Sequence, residues 1–102
     1  MTLAARLLAL AAIAATASCR RAPVTQDECD RLLDRYTELL VKIDEPKATS
    51  ARLEAARVEA RARAMKNAAF ASCTREVSRE SMDCALGSFD VDQIERCLIP
   101  MP

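Results

Sequence analysis

The spacing of apolar positions changes along this chain, and each change marks an element. From Leu7 to Ala15 the side chains are apolar without interruption. Positive charge from Arg6 and the amino terminus precedes the run, and small residues ending at Cys19 follow it. That is the three-part layout of a secretory signal, assigned to residues 1–18. The run is about half of the roughly 20 residues needed to span a bilayer, so it does not predict a permanent transmembrane helix. Beyond it the spacing becomes helical. Cys29, Leu33, Tyr36, Leu40 and Ile43 recur at intervals of three and four, with Leu32 and Leu39 widening the stripe. They predict a helix over 25–45, ended by Pro46. Ala51, Ala55, Val58, Ala62, Met65, Ala69 and Cys73 keep the same spacing and predict a second helix over 50–77 with a small-residue seam. Two short helices follow over 79–85 and 91–98, with Gly87 placed to stop the first.

Polar residues mark the starts. Thr25-Gln26-Asp27-Glu28 is a capping box, with Val24 and Cys29 at the staple positions. Asp90-Val91-Asp92-Gln93 repeats the device with Phe89 and Ile94. Ser78 supplies a third cap, with Val77 and Met82 placed to staple, although Ser81 stands where Glu or Gln would complete the box. A stripe of large residues on the first long helix facing an alanine seam on the second predicts an antiparallel hairpin. The fold class is therefore all-α: a hairpin of helices 25–45 and 50–77, two short C-terminal helices, and a tail over 99–102. Residues 19–24 form a short tether to this 25–98 domain.

Composition agrees. About 84 residues remain after the leader, enough for one domain, with one Gly, two Phe, one Tyr and no Trp in the whole chain. So few aromatics imply a modest core that disulfides would supplement. The chain has 15 basic and 15 acidic side chains, and removing Arg6 with the leader leaves 14 against 15, so net charge does not imply a nucleic-acid partner. Arg52, Arg57, Arg61, Arg63 and Lys66 cluster on the second helix against Glu54 and Glu59. They could address anionic headgroups or an acidic partner, but local ion pairs such as Glu59–Arg63 on a solvated face are the expected outcome. The small-residue seam could serve self-association, which the stripe available within the chain disfavours.

The five cysteines divide into one and four. Cleavage after Ala15-Thr16-Ala17 would release a soluble chain beginning at Ser18. Thr16-Ala17-Ser18-Cys19 instead resembles the bacterial lipobox, in which the cysteine is acylated and becomes the first residue, although that motif usually has an aliphatic residue where this chain has Thr16. Ordinary cleavage would leave an unpaired thiol in an oxidising compartment, so Cys19 is taken as the lipid-attachment residue. Cys29, Cys73, Cys84 and Cys97 suit two structural disulfides. No C-x-x-C pair and no histidine occur, so neither a redox motif nor a metal site is expected, and no cofactor motif is present. In a straight hairpin turning near residue 47, Cys29 lies level with about residue 66 and some 10 Å from Cys73. That disfavours a Cys29–Cys73 bridge. Cys29–Cys84 with Cys73–Cys97 is preferred, closely followed by Cys29–Cys97 with Cys73–Cys84.

The block CTREVSRESMDCALGSFDVDQIERCL over 73–98, with ECDRLLDRYTELL upstream, resembles small exported helical proteins of myxobacteria and their relatives. The shared pattern is a cysteine, a Val/Leu-Ser/Thr helix start, C-A and a terminal E-x-C. The resemblance implies architecture and export and carries no particular activity. Without histidine the usual neutral-pH general base is missing. Asp44/Glu45 and Asp90/Asp92 read as helix-end charge and cap, the serines have no base, and Gly87 alone cannot build a phosphate loop. The expected function is thus a non-catalytic helical interaction or scaffold module. It would be lipid-anchored in the cell envelope, in the outer membrane on the periplasmic side, with an unidentified protein partner. The alternative is a soluble periplasmic binding or chaperone-like protein released after Ala17, using an apolar groove along the first helix.

Overall fold

A computed structural model describes residues 22–99. The leader, with Cys19, and residues 100–102 lie outside the described residues. The described chain is all-helical: α1 (Gln26–Asp44), α2 (Ser50–Ala64), the single turns α3 (Ala68–Ala71) and α4 (Cys73–Glu76), α5 (Arg79–Leu86) and α6 (Val91–Leu98).

Each start is set by a local cap. The Thr25 side chain accepts from the Glu28 backbone while the Glu28 carboxylate accepts from the Thr25 N–H, completing the capping box. Thr49, Ser78 and Asp90 each accept from the backbone N–H three residues on. These bonds satisfy donors that the first helical turn leaves without partners. The start of α6 departs from the expected box, because Gln93 accepts from the Phe89 N–H and not from Asp90, and Phe89 is exposed rather than packed as a staple. Gly87 closes α5 with an ordinary φ of −86°, so no left-handed turn is used there.

α1 packs on α2 beside it and on α4, α5 and α6, whose core residues meet Cys29 and Leu32 in its N-terminal half. The core sits in that half. Met82 and Ala85 of α5 and Ile94 of α6 are sealed against Cys29, Leu32, Val24 and Cys73. Tyr36 and Leu39 pack at its edge, whereas Leu40 and Ile43 are exposed, so the stripe on α1 is buried for its first three turns only. The one buried polar side chain among the described residues, Ser88, donates to the Cys84 carbonyl at 2.9 Å.

Three expectations are corrected. The second long helix does not run to residue 77. It stops at Ala64, and the Asn67 side chain accepts from Ala69 and Phe70 to start a separate turn. The seam on α2 also lies elsewhere. Ala56 and Ala64 are buried, while Val58 is 61% and Met65 86% exposed. Arginines decide this rotation: Arg61 donates to Asp34 of α1 at 2.9 Å and Arg57 lies 3.8 Å from Glu38, so their face must turn toward α1. Leu53, Ala56, Ala60 and Ala64, at 3-4 spacing, form the covered stripe on that side, while Ala51, Ala55 and Ala62 are exposed.

The third correction is the pairing. Cys29 is bonded to Cys73 and Cys84 to Cys97, with Cα separations of 6.4 and 5.7 Å. Neither Cys29–Cys84 with Cys73–Cys97 nor Cys29–Cys97 with Cys73–Cys84 forms. The 10 Å overshoot holds only for an uninterrupted helix. The break between Ala64 and Ala68 turns the chain back and brings Cys73 within disulfide reach of Cys29.

Candidate functional site

α1, the segment from α3 to Val77, and α6 enclose an open apolar groove of about 550 Å³. α1 contributes Cys29, Leu32, Leu33 and Tyr36, placed there by its 3-4 spacing. Ala69, Phe70, Cys73 and Val77 come from the segment beyond the break, and Ile94, Leu98 and Ile99 from α6 and its C-cap. Leu32 and Ile94 are buried, Leu33, Tyr36, Phe70 and Val77 are half-buried, and Ile99 is 63% exposed. The groove size lies within the range of small-molecule sites.

The charged residues that line it are both acidic, Glu76 on α4 and Glu95 on α6. The Tyr36 hydroxyl donates to the Glu95 carboxylate at 2.8 Å, tying α1 to α6 at the rim. That bond to an anion, followed by burial, raises the Tyr36 phenol above its ordinary pKa. Away from the groove, Arg79 of α5 donates to both Glu28 oxygens at 2.5 and 2.6 Å and to the carbonyls of Ala22 and Pro23. Its guanidinium, assisted by the Thr25 backbone, lowers Glu28 to about 2, and Arg79 is raised in turn. The last residues of the tether are thereby docked on the domain.

The expected site residues fall in two places. Cys29 and Cys73 form one disulfide and both line the groove. Cys84 and Cys97 close the α5–α6 hairpin, with the Ser88 hydroxyl 3.6 Å from the Cys97 sulfur. Cys19 lies outside the described residues. The apolar spacing does not mark Phe70, Val77, Leu98 and Ile99 as groove residues, and it leaves Ile99 in the tail. The helical stripe on α1 pointed to one wall, whereas the other walls depend on the break after Ala64.

The arginines of α2 do not form a free basic face. Arg52 pairs with Glu45, Arg57 with Glu54 and Glu38, Arg61 with Asp34, and Arg63 with Glu59. Among the described residues no three His, Cys, Asp or Glu side chains are grouped to hold a metal ion, and no helix is long and apolar enough to cross a membrane. Two disulfides suit an oxidising compartment outside the cytoplasm. No family model, no curated protein and no solved structure matches the chain.

Proposed function

We propose that this chain is an exported bacterial lipoprotein, of the kind it resembles among small myxobacterial proteins, that acts without catalysis as a helical interaction module. The observation that carries the reading is the apolar groove held open on a cross-linked frame. Apolar side chains left at the surface of so small a domain are costly unless a partner covers them. The described groups offer ion pairs, caps and helix-end charge, each with a structural role.

In this reading residues 1–18 are removed and Cys19 carries the lipid. Acyl chains contribute about 0.8 kcal/mol per buried methylene, so several chains hold the protein firmly at the membrane. From Cys19 to Ala22 three residues span at most about 10 Å. Because Arg79 docks Ala22 and Pro23 on α5, the short tether would keep the domain close to the membrane surface, in this reading the periplasmic side of the outer membrane.

The test compares wild type with Cys19→Ala by membrane fractionation, intact mass and crosslinked pull-down from membranes. Acylated, membrane-bound wild type beside a soluble variant that loses its partners supports the reading. A variant that stays in the membrane fraction with the same partners overturns the anchor. A mass that retains Ser18 and lacks acyl groups selects the soluble periplasmic alternative.

A further inference from the structure

We propose that the groove takes an amphipathic helical peptide whose apolar stripe is flanked by Lys or Arg. The inference rests on the interaction-module reading and names its partner by chemistry. Its first support is shape. The α1 wall from Cys29 to Tyr36 covers seven residue steps, about 10 Å or two helical turns. A helix presents three to four apolar side chains over two turns, and Leu33, Tyr36, Phe70 and Leu98 are incompletely buried and available to meet them.

Charge supplies the second. Glu76 and Glu95 line the groove from different elements, and no Lys or Arg lines it. Tyr36 holds the Glu95 carboxylate at the rim through its hydroxyl, so that acceptor is already positioned for a second donor. A carboxylate holds more than one hydrogen bond, and a cation brought to it gains a charge-assisted one. A peptide with basic flanks therefore matches both floor and rim. A fatty acid would bring its own carboxylate against the two glutamates, and a second copy would bring two more.

The experiment uses the exported chain carrying Cys19→Ser, purified in solution with its disulfides formed. Two fluorescein-labelled peptides of about 12 residues share one leucine stripe, flanked in one by Lys and in the other by Glu, and binding is read by fluorescence anisotropy. The Lys peptide is expected to bind about tenfold more tightly, and more weakly as salt screens the rim. In the double variant Glu76→Lys, Glu95→Lys the preference should invert, and Leu33→Asp should abolish binding of both peptides. Circular dichroism melts establish that each variant is folded, and Glu76→Lys alone, at an exposed position, should already reduce the preference. Equal binding of the two peptides, no binding, or an unchanged preference in the double variant overturns the proposal. So does a concentration-dependent dimer that Leu33→Asp dissociates, or a fluorescent fatty acid that binds where the Lys peptide does not. Because binding is measured without the lipid, failure of the anchor in fractionation leaves this result standing, and the converse also holds.

Discussion

The two disulfides should contribute unequally to stability, and the difference follows from the chain they enclose. Cys29–Cys73 spans 44 residues and Cys84–Cys97 spans 13. Loop-closure entropy removed from the unfolded chain gives about 4 kcal/mol for the first and about 3 kcal/mol for the second, a difference of about 1 kcal/mol. Packing acts in the same direction. Cys29 and Cys73 are both buried, whereas Cys84 is exposed, so Cys29→Ala with Cys73→Ala also removes two core sulfurs. Urea unfolding of the two double variants, extrapolated to water, measures the difference. The free energies should be compared, not the midpoints alone, since losing a cross-link expands the unfolded chain and changes the slope. Unreduced tryptic mapping of wild type should first give fragment 22–31 joined to 67–75 and 80–96 joined to 97–102. A Cys84→Ala, Cys97→Ala protein as destabilised as the other double variant, or more so, would refute the entropic argument. Fragment 22–31 joined to 80–96 or 97–102 would refute the pairing beneath it.

Met82→Ala should cost about 2–5 kcal/mol, because Met82 is fully buried at 0% exposure. Met65→Ala should change stability by less than about 0.5 kcal/mol, and a cost near that of Met82 would return the seam of α2 to its expected register. Acid should weaken the fold through Glu28, whose folded pKa of about 2 lies below the ordinary value of 4.5. Its contribution is present above the unfolded value and is lost as pH falls from about 4.5 through 2. Glu28→Gln should flatten the stability profile in that window, and an unchanged acid limb would show that the Arg79 pair does not supply it. Limited dithiothreitol with alkylation mapping should open Cys84–Cys97 before Cys29–Cys73, since Cys84 is exposed and both partners of the other bridge are buried. Simultaneous labelling of all four cysteines would contradict that order.

Helix starts were legible in the sequence because caps are chemistry within four residues. Thr25, Ser78 and Asp90 lie where the structure uses them, and α5 and α6 follow within a residue of expectation. Asn67 was a cap of the same kind, hidden because Met65, Ala69 and Cys73 carry the apolar spacing straight across it. The face of α2 was illegible for a different reason. Two small-residue stripes compete there, Ala51, Ala55, Val58 and Ala62 against Leu53, Ala56, Ala60 and Ala64, and the second is covered, beside Arg57 and Arg61, whose partners Glu38 and Asp34 lie 19 and 27 residues away. Both disulfide pairings weighed from the sequence inherited the unbroken helix. Half of the groove was readable as the stripe on α1; the rest required Phe70 and Val77 to be carried round by the turn at Asn67.

The same break links stability to binding. Had α2 run straight, Cys73 would have passed Cys29, and Phe70 and Val77 would have passed the first turns of α1. Because the chain turns after Ala64, the bridge closes, and its two sulfur-bearing residues become part of the groove lining. The cross-link contributes about 4 kcal/mol through the unfolded state, comparable to fully burying two large apolar side chains at about 1.5–3 kcal/mol each. A domain of this size has few such side chains to spare. With the bridge in place, Leu33, Tyr36, Phe70 and Leu98 can remain only partly covered while the fold persists. The disulfide and the open groove are therefore two consequences of one turn in the chain, and a helix uninterrupted at Asn67 would have provided neither.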